Sequence, residues 1–167
     1  MMTTNQILIK EFQFVTNWTG HLITDLDAGQ WKITPTGVGT NIHWIAGHIM
    51  HDKYWHGLGC ISEPSKTFRK QFDIGHFEKY FRKDSDPLAY LEERPSRDTI
   101  LESLNILDAE ILKITESISE DELEKETIEQ NPVAKTKYES LSFAIKHQMW
   151  HNGQIALIRR VLKKNAY

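Results

Sequence analysis

Apolar side chains recur at three- and four-residue steps in four separated stretches of the chain, the period of a helix that buries one face. The first runs through Leu8, Phe12, Val15, Trp18 or Thr19, Leu22 and Leu26, and predicts a helix over 4–26 with Thr3 or Thr4 as its cap. Ala28-Gly29-Gln30-Trp31 is expected to end it, and Pro35, Gly37 and Gly39 to hold a loop. Thr40 then caps a second helix over 41–57, with Ile42, Ile45, Ile49, Tyr54 and Trp55 on its apolar face. Ile100, Leu104, Leu107, Ile111, Ile114 and Ile118 form the seam of a third, over 96–118, capped by Ser96. Its charged residues Glu102, Asp108, Glu110 and Lys113 read as a solvated face. Thr136 and Glu139 have the spacing of a capping box and open a fourth helix over 137–164, whose last turns carry Arg159, Arg160, Lys163 and Lys164 at the negative end of the dipole. The pattern is that of an all-α four-helix bundle.

Between the second and third helices, residues 58–95 keep no strict period and are punctuated by Gly59, Pro64, Gly75, Pro87 and Pro95. A connection of that length is a crossover that lets the third helix run parallel to the second. Phe68, Phe72, Phe77, Tyr80 and Phe81 indicate that it packs down, with a short helix over 73–82, and it is expected either to roof a pocket and shape substrate entry or to be a structural cover over the end of the core. The acidic run 119–126 reads as a wet connection.

Composition narrows the picture. The 167 residues, 40% of them hydrophobic, suit a single domain over 1–167. A formal charge of −3 with the two signs interspersed provides no field for a nucleic-acid backbone or an anionic membrane, so neither is an expected partner. One cysteine, Cys60, cannot form an intramolecular disulfide, and the first residues lack the regions of a signal peptide. No apolar run approaches about 18 residues, and a soluble, cytoplasmic protein is expected. Exposed aromatics such as Trp31 or Tyr167 are candidates for burial in a homodimer.

The candidate chemistry lies in the histidines. His147 and His151 are four residues apart on one helical face, which is chelate spacing, and they fill half of a tetrahedral site with Zn–N bonds of about 2.0–2.1 Å. His48 lies on the apolar face of the second helix, where it reads either as a buried imidazole bonded to a backbone carbonyl or as a further ligand. His21 has no spaced partner and reads as a surface or capped group. Competing signatures are missing: there is no Glu-x-x-His, His-Glu-x-x-His, Gly-x-Ser-x-Gly, phosphate-binding loop or dinucleotide fingerprint. Cys60, with no basic partner apparent in the sequence, is a weak nucleophile.

Gly47-His48 in the second helix and His147-x-x-x-His151-x-Gly153-Gln154 in the fourth give the chain its resemblance to the DinB-like superfamily, whose members include bacillithiol- and mycothiol-dependent S-transferases. Asn152 departs from the Arg that relatives often carry before Gly-Gln. The resemblance implies a four-helix bundle holding a divalent metal on His48, His147 and His151. Asp52, one turn after His48, is then a fourth ligand, an acceptor that fixes a ligand imidazole, a general base, or a solvated carboxylate at the bundle's edge. His51 is expected on the substrate side or the surface. Gln154 either orients a ligand or substrate or is a packing amide, and Gly153 is expected to admit a neighbouring helix. Three neutral imidazoles leave coordination positions open, as catalytic sites do. The expected activity is transfer of a low-molecular-weight thiol to an electrophilic small molecule. The alternatives are hydrolysis by metal-activated water, or a non-catalytic bundle with a structural or vestigial metal that serves binding or dimerisation. Zinc and nickel are the leading ions, with iron and manganese also compatible with imidazole.

Overall fold

A computed structural model describes residues 1–164. Among them are eight α-helices: α1 (Thr4–Ile23), α2 (Ala28–Lys32), α3 (Ile42–Asp52), α4 (Lys66–Gln71), α5 (Gly75–Phe81), α6 (Arg97–Ser117), α7 (Glu120–Leu123) and α8 (Lys137–Val161). A π-helical turn, Lys53–Gly59, continues α3. The four long elements expected from the periodicity, α1, α3 with its π turn, α6 and α8, form the bundle. Tyr167 lies outside the described residues.

Each long helix is opened by a side chain. Thr3 and Gln6 form a capping box on α1, and Thr136 and Glu139 form the expected one on α8. Ser96 caps α6. The cap of α3 is Asn41, not Thr40: its Oδ1 accepts from Trp44 N at 2.9 Å while its amide donates to Pro87 O. The α1 helix ends at Ile23, earlier than expected, because Asp27 begins a new capped turn, α2. That turn carries Trp31 into the core, where its indole donates to Ile23 O at 3.1 Å and no surface remains exposed. Trp31 is therefore not a residue that a dimer would cover. The acidic run 119–126 also holds a turn of helix, α7, which buries Leu123.

Side-chain contacts fix the topology. Asn5 on α1 donates to Thr115 O and Ile118 O at the end of α6, and Arg97 at the start of α6 donates to Thr24 O, so α1 and α6 are antiparallel. Lys53 meets Asp108, and a Cβ on Gly57 would lie 2.9 Å from Ile111, so α3 and α6 are parallel, as the long crossover requires. His48 faces His151 while Ser140 donates to His56 O, so α3 and α8 are antiparallel. Thr19 meets Gln148 and Asn152, and Arg159 donates to Leu22 O, so α8 and α1 are parallel. Asn152, the departure noted in the sequence, is fully buried and ties α8 to α1 through Thr19 and Val15 O.

The Lys53–Asp108 pair corrects the reading of Asp108 as a solvated charge. Lys53 is 2% exposed, its ammonium also donates to Thr16 and lies 4.5 Å from the Phe12 ring centroid, and Asp108 supplies the compensating charge. Burial pushes the lysine pKa down and Asp108 pulls it back up. A buried ammonium is tolerated only with such a partner.

The crossover is not a loose loop. Phe68, Phe72, Phe77 and Phe81 form a buried file in which successive rings lie 5.0, 5.6 and 6.5 Å apart. The file ends over Gly47, where a built Cβ would come within 2.4 Å of the Phe81 ring. Gly47 therefore lets α5 lie directly on α3. Gly153, by contrast, has nothing within 4 Å of a built Cβ and faces solvent, so the expected close approach is made at Gly47 instead. No described helix is long and apolar enough to cross a membrane.

Gly47→Ala sets the helix propensity of alanine, worth about 1 kcal/mol, against overpacking of a buried ring, which costs about 1–3 kcal/mol. The contact is too short to absorb, so the variant is expected to be less stable by about 1–2 kcal/mol in denaturant unfolding. An unchanged or raised midpoint would show that Phe81 moves aside freely.

Candidate metal centre

The antiparallel contact of α3 with α8 places two i,i+4 pairs opposite one another: His48 and Asp52 on α3, His147 and His151 on α8. Ligating atoms of the three histidines lie within 4.8 Å of one another. His147 Nε2 is 3.0 Å from His151 Nε2, and Asp52 Oδ2 is 3.4 Å from His147 Nε2 and 3.6 Å from His48 Nε2. Four donor atoms from two helices thus converge on one small volume. His48 and His151 are buried, and the side chains of His147 and Asp52 are 11% and 17% exposed, so the cluster lies just beneath the surface.

Contacts on the far side of each ring decide which nitrogen faces inward. His48 Nδ1 is 2.8 Å from Phe81 O, a group that only accepts, so Nδ1 carries the proton and Nε2 presents a lone pair. The carbonyl bond expected of a buried His48 is present, and it aims the free nitrogen at its neighbours. His151 Nδ1 donates likewise to Gln154 Oε1 at 2.8 Å, which makes Gln154 an orienter of that imidazole rather than a packing amide. The lone pair of His151 Nε2 faces His147 Nε2 at 3.0 Å, a contact that needs something positive between the two nitrogens. In the metal-free protein a proton on His147 Nε2 suffices. A divalent ion, with which nitrogen and carboxylate donors bond readily, could take the same place and displace that proton.

The electrostatics match. Burial pushes the His147 pKa down to about 4, against the pull of Asp52, and His48, His56 and His151 push it the same way. The pKa of His151 is also lowered by burial, with His48 adding to it. Burial raises the Asp52 pKa, but the hydrogen bond from His51 and the charges of His48 and His147 outweigh it, and the net shift is downward. The lowered values of His147 and His151 favour neutral imidazoles beside an ionised Asp52, as ligation requires.

The structure changes the standing of other histidines. His51 is not at the surface: it is 6% exposed, donates from Nδ1 to Asp52 Oδ1 at 3.1 Å and accepts at Nε2 from the Trp55 indole at 3.3 Å, with Glu78 Oε2 at 3.5 Å. His43 is buried against Trp31 and Phe81 with Nε2 2.8 Å from Pro95 O, and His56 sits 3.0 Å from the Asn131 amide. His21 is exposed on α1, away from the cluster. Cys60 is buried, and burial pushes its thiol pKa up, which leaves it inert as a nucleophile. Sequence reasoning missed Phe81 O, Glu78 and the Trp44 ring, which stacks on His48 at 4.7 Å and 12°. Gly47 beside a buried histidine was the available sign that another element must lie on α3 there.

A helical bundle with inward-facing histidines and a carboxylate at the contact of two antiparallel helices defines the class: a bundle whose interior cluster could hold a metal ion. A family model described as the DinB superfamily matches residues 11–155, and the chain belongs to that superfamily. No curated protein matches it.

These protonation states make the metal-free protein acid-sensitive. An unfolded histidine titrates near about 6.5 and folded His147 near 4, so between those values the unfolded chain binds more protons and stability rises with pH. Chelator-treated protein is expected to lose on the order of 2–3 kcal/mol as pH falls from 7 to 4.5, with a shallower slope for His147→Phe. Urea unfolding across that range measures it, and a flat profile for the parent would contradict the burial argument.

Proposed function

We propose that the protein is a divalent-metal-dependent enzyme in which His48, His147 and His151 bind the ion through Nε2, Asp52 joins them through Oδ2, and a low-molecular-weight thiol is transferred to an electrophilic small molecule. The observation that carries this reading is the convergence of the three histidines, with Asp52 Oδ2 within 3.6 Å of His48 and His147 and with Phe81 O and Gln154 bonded to the far side of two of the rings. Zinc and nickel are the first ions to test, then iron and manganese. When bound, such an ion lowers the pKa of a coordinated thiol or water, so that a nucleophile is available near neutral pH.

The chain's own residues supply the rest. Three neutral histidines and one carboxylate leave one net positive charge with a divalent ion, which favours an anionic sulfur over a neutral one. Asp52 serves better as ligand and charge balance than as the base, because a carboxylate held below its usual range is a weak proton acceptor near neutral pH. Its Oδ1 accepts from His51 Nδ1 at 3.1 Å, which holds the carboxylate in place beside the histidines. Towards the surface, Phe143 stacks on His147 at 5.3 Å and Trp150, 69% exposed, stacks on His151 at 6.1 Å. Their rings give an apolar electrophile a surface to lie on beside the site.

Elemental analysis of untagged protein is expected to find close to one ion per chain, and none in a folded His147→Ala, His151→Ala double variant. The loaded parent should accelerate conjugation of chlorodinitrobenzene with at least one of a set of low-molecular-weight thiols, lose that rate with a chelator and regain it with metal. Ester cleavage without thiol transfer would make water the nucleophile. A full complement of metal with no turnover, and unfolding on chelation, would leave the ion a structural role and overturn the enzyme reading.

A further inference from the structure

A second feature lies on the other side of Trp55, away from the four donor atoms. A pocket of about 490 Å³ is walled by Tyr54 and Trp55 of the π-helical turn and by Phe68 and Phe72 of the crossover. Tyr54 lies nearly parallel to Phe72, at 5.6 Å and 11°, and nearly perpendicular to Trp55, at 5.3 Å and 88°. The four rings make an aromatic wall against which an ammonium group in the pocket would meet negative π density.

The rim is predominantly acidic. Glu63, Asp73 and Glu129 line it, and among the described residues that do so Arg69 is the one cation. Its guanidinium is already bonded to Glu63 and donates to Pro64 O at 3.1 Å, which leaves Asp73 and Glu129 uncompensated by it. Tyr54 registers the resulting field: burial raises its pKa first, Arg69 opposes, and Glu63, Asp73 and Glu78 push it further up. An anion would meet like charge here, and a neutral apolar molecule would gain nothing from the carboxylates.

We infer that this pocket is a binding site for a small organic cation of the alkylammonium class, held by the Tyr54 and Trp55 rings with Asp73 and Glu129 at its rim. None of the four donor atoms of the metal centre lines it, so the inference stands apart from the proposed activity. Pocket volumes of about 300–1,000 Å³ are usual for small-molecule sites, and this one holds a quaternary ammonium with a short polar arm.

Choline and its neutral isostere 3,3-dimethylbutan-1-ol provide the test, by isothermal titration calorimetry on metal-free and metal-loaded protein. Saturable choline binding is expected in both forms, with the isostere weaker by about tenfold or more, since only the charge differs. Glu129→Gln, at an exposed position, should weaken choline about two- to fivefold and flatten its salt dependence. Tyr54→Leu, checked for fold by circular dichroism, should weaken it by about fivefold or more. Equal affinity for the two ligands, no saturable heat, or unchanged affinity in both variants would overturn the assignment.

Discussion

His147 Nε2 and His151 Nε2 lie 3.0 Å apart beneath the protein surface with one proton between them, and the architecture is arranged to hold them there. The restraint comes from behind the rings. Phe81 O fixes His48 from the crossover, and Gln154 fixes His151 from the next turn of α8. Without those bonds the imidazoles would rotate towards water, and a neutral His147 would have no reason to remain among its neighbours. The arrangement keeps these nitrogens gathered where a cation could replace that proton, as in sites where ligand orientation is set from outside the coordination sphere.

That restraint explains why so much of the chain lies far from the cluster yet serves it. The Phe68–Phe81 file and the missing side chain of Gly47 seat α5 on α3, and this delivers the Phe81 carbonyl to His48. The Lys53–Asp108 pair fastens the π-helical turn to α6 one residue after Asp52. Asn152 and Gln148 tie the intervening turns of α8 to Thr19 of α1, so His147 and His151 stand on a helix held along its back. The π turn also brings Tyr54 and Trp55 to the wall of the aromatic pocket, with the Trp55 indole donating to His51.

The long helices and the pairing of His48 with His147 and His151 were legible because helical period and i,i+4 spacing are local properties. What the letters hid was set by tertiary contact. Asp108 looked solvated from its own helix, and only the approach of Lys53 from α3 shows why it is needed. Trp31 looked like an exposed aromatic, because the capped turn that folds it inward depends on Asp27, three residues before the helix amide that it caps. Gly153 looked like a contact point and Gly47 was read only as part of the Gly47-His48 motif, yet it is Gly47 that makes the close contact, since a glycine's meaning rests on what lies over it. His51 could not be separated from a surface histidine until Asp52, Trp55 and Glu78 were seen around it.

X-ray absorption at the metal edge of loaded protein tests the centre most directly, because it counts imidazoles and separates oxygen or nitrogen from sulfur in the first shell. Three imidazoles with at least one oxygen donor, and an oxygen contribution that diminishes in Asp52→Ala, are expected. Fewer than three imidazoles, or sulfur from the protein itself, would contradict the convergence of His48, His147, His151 and Asp52 as the binding site.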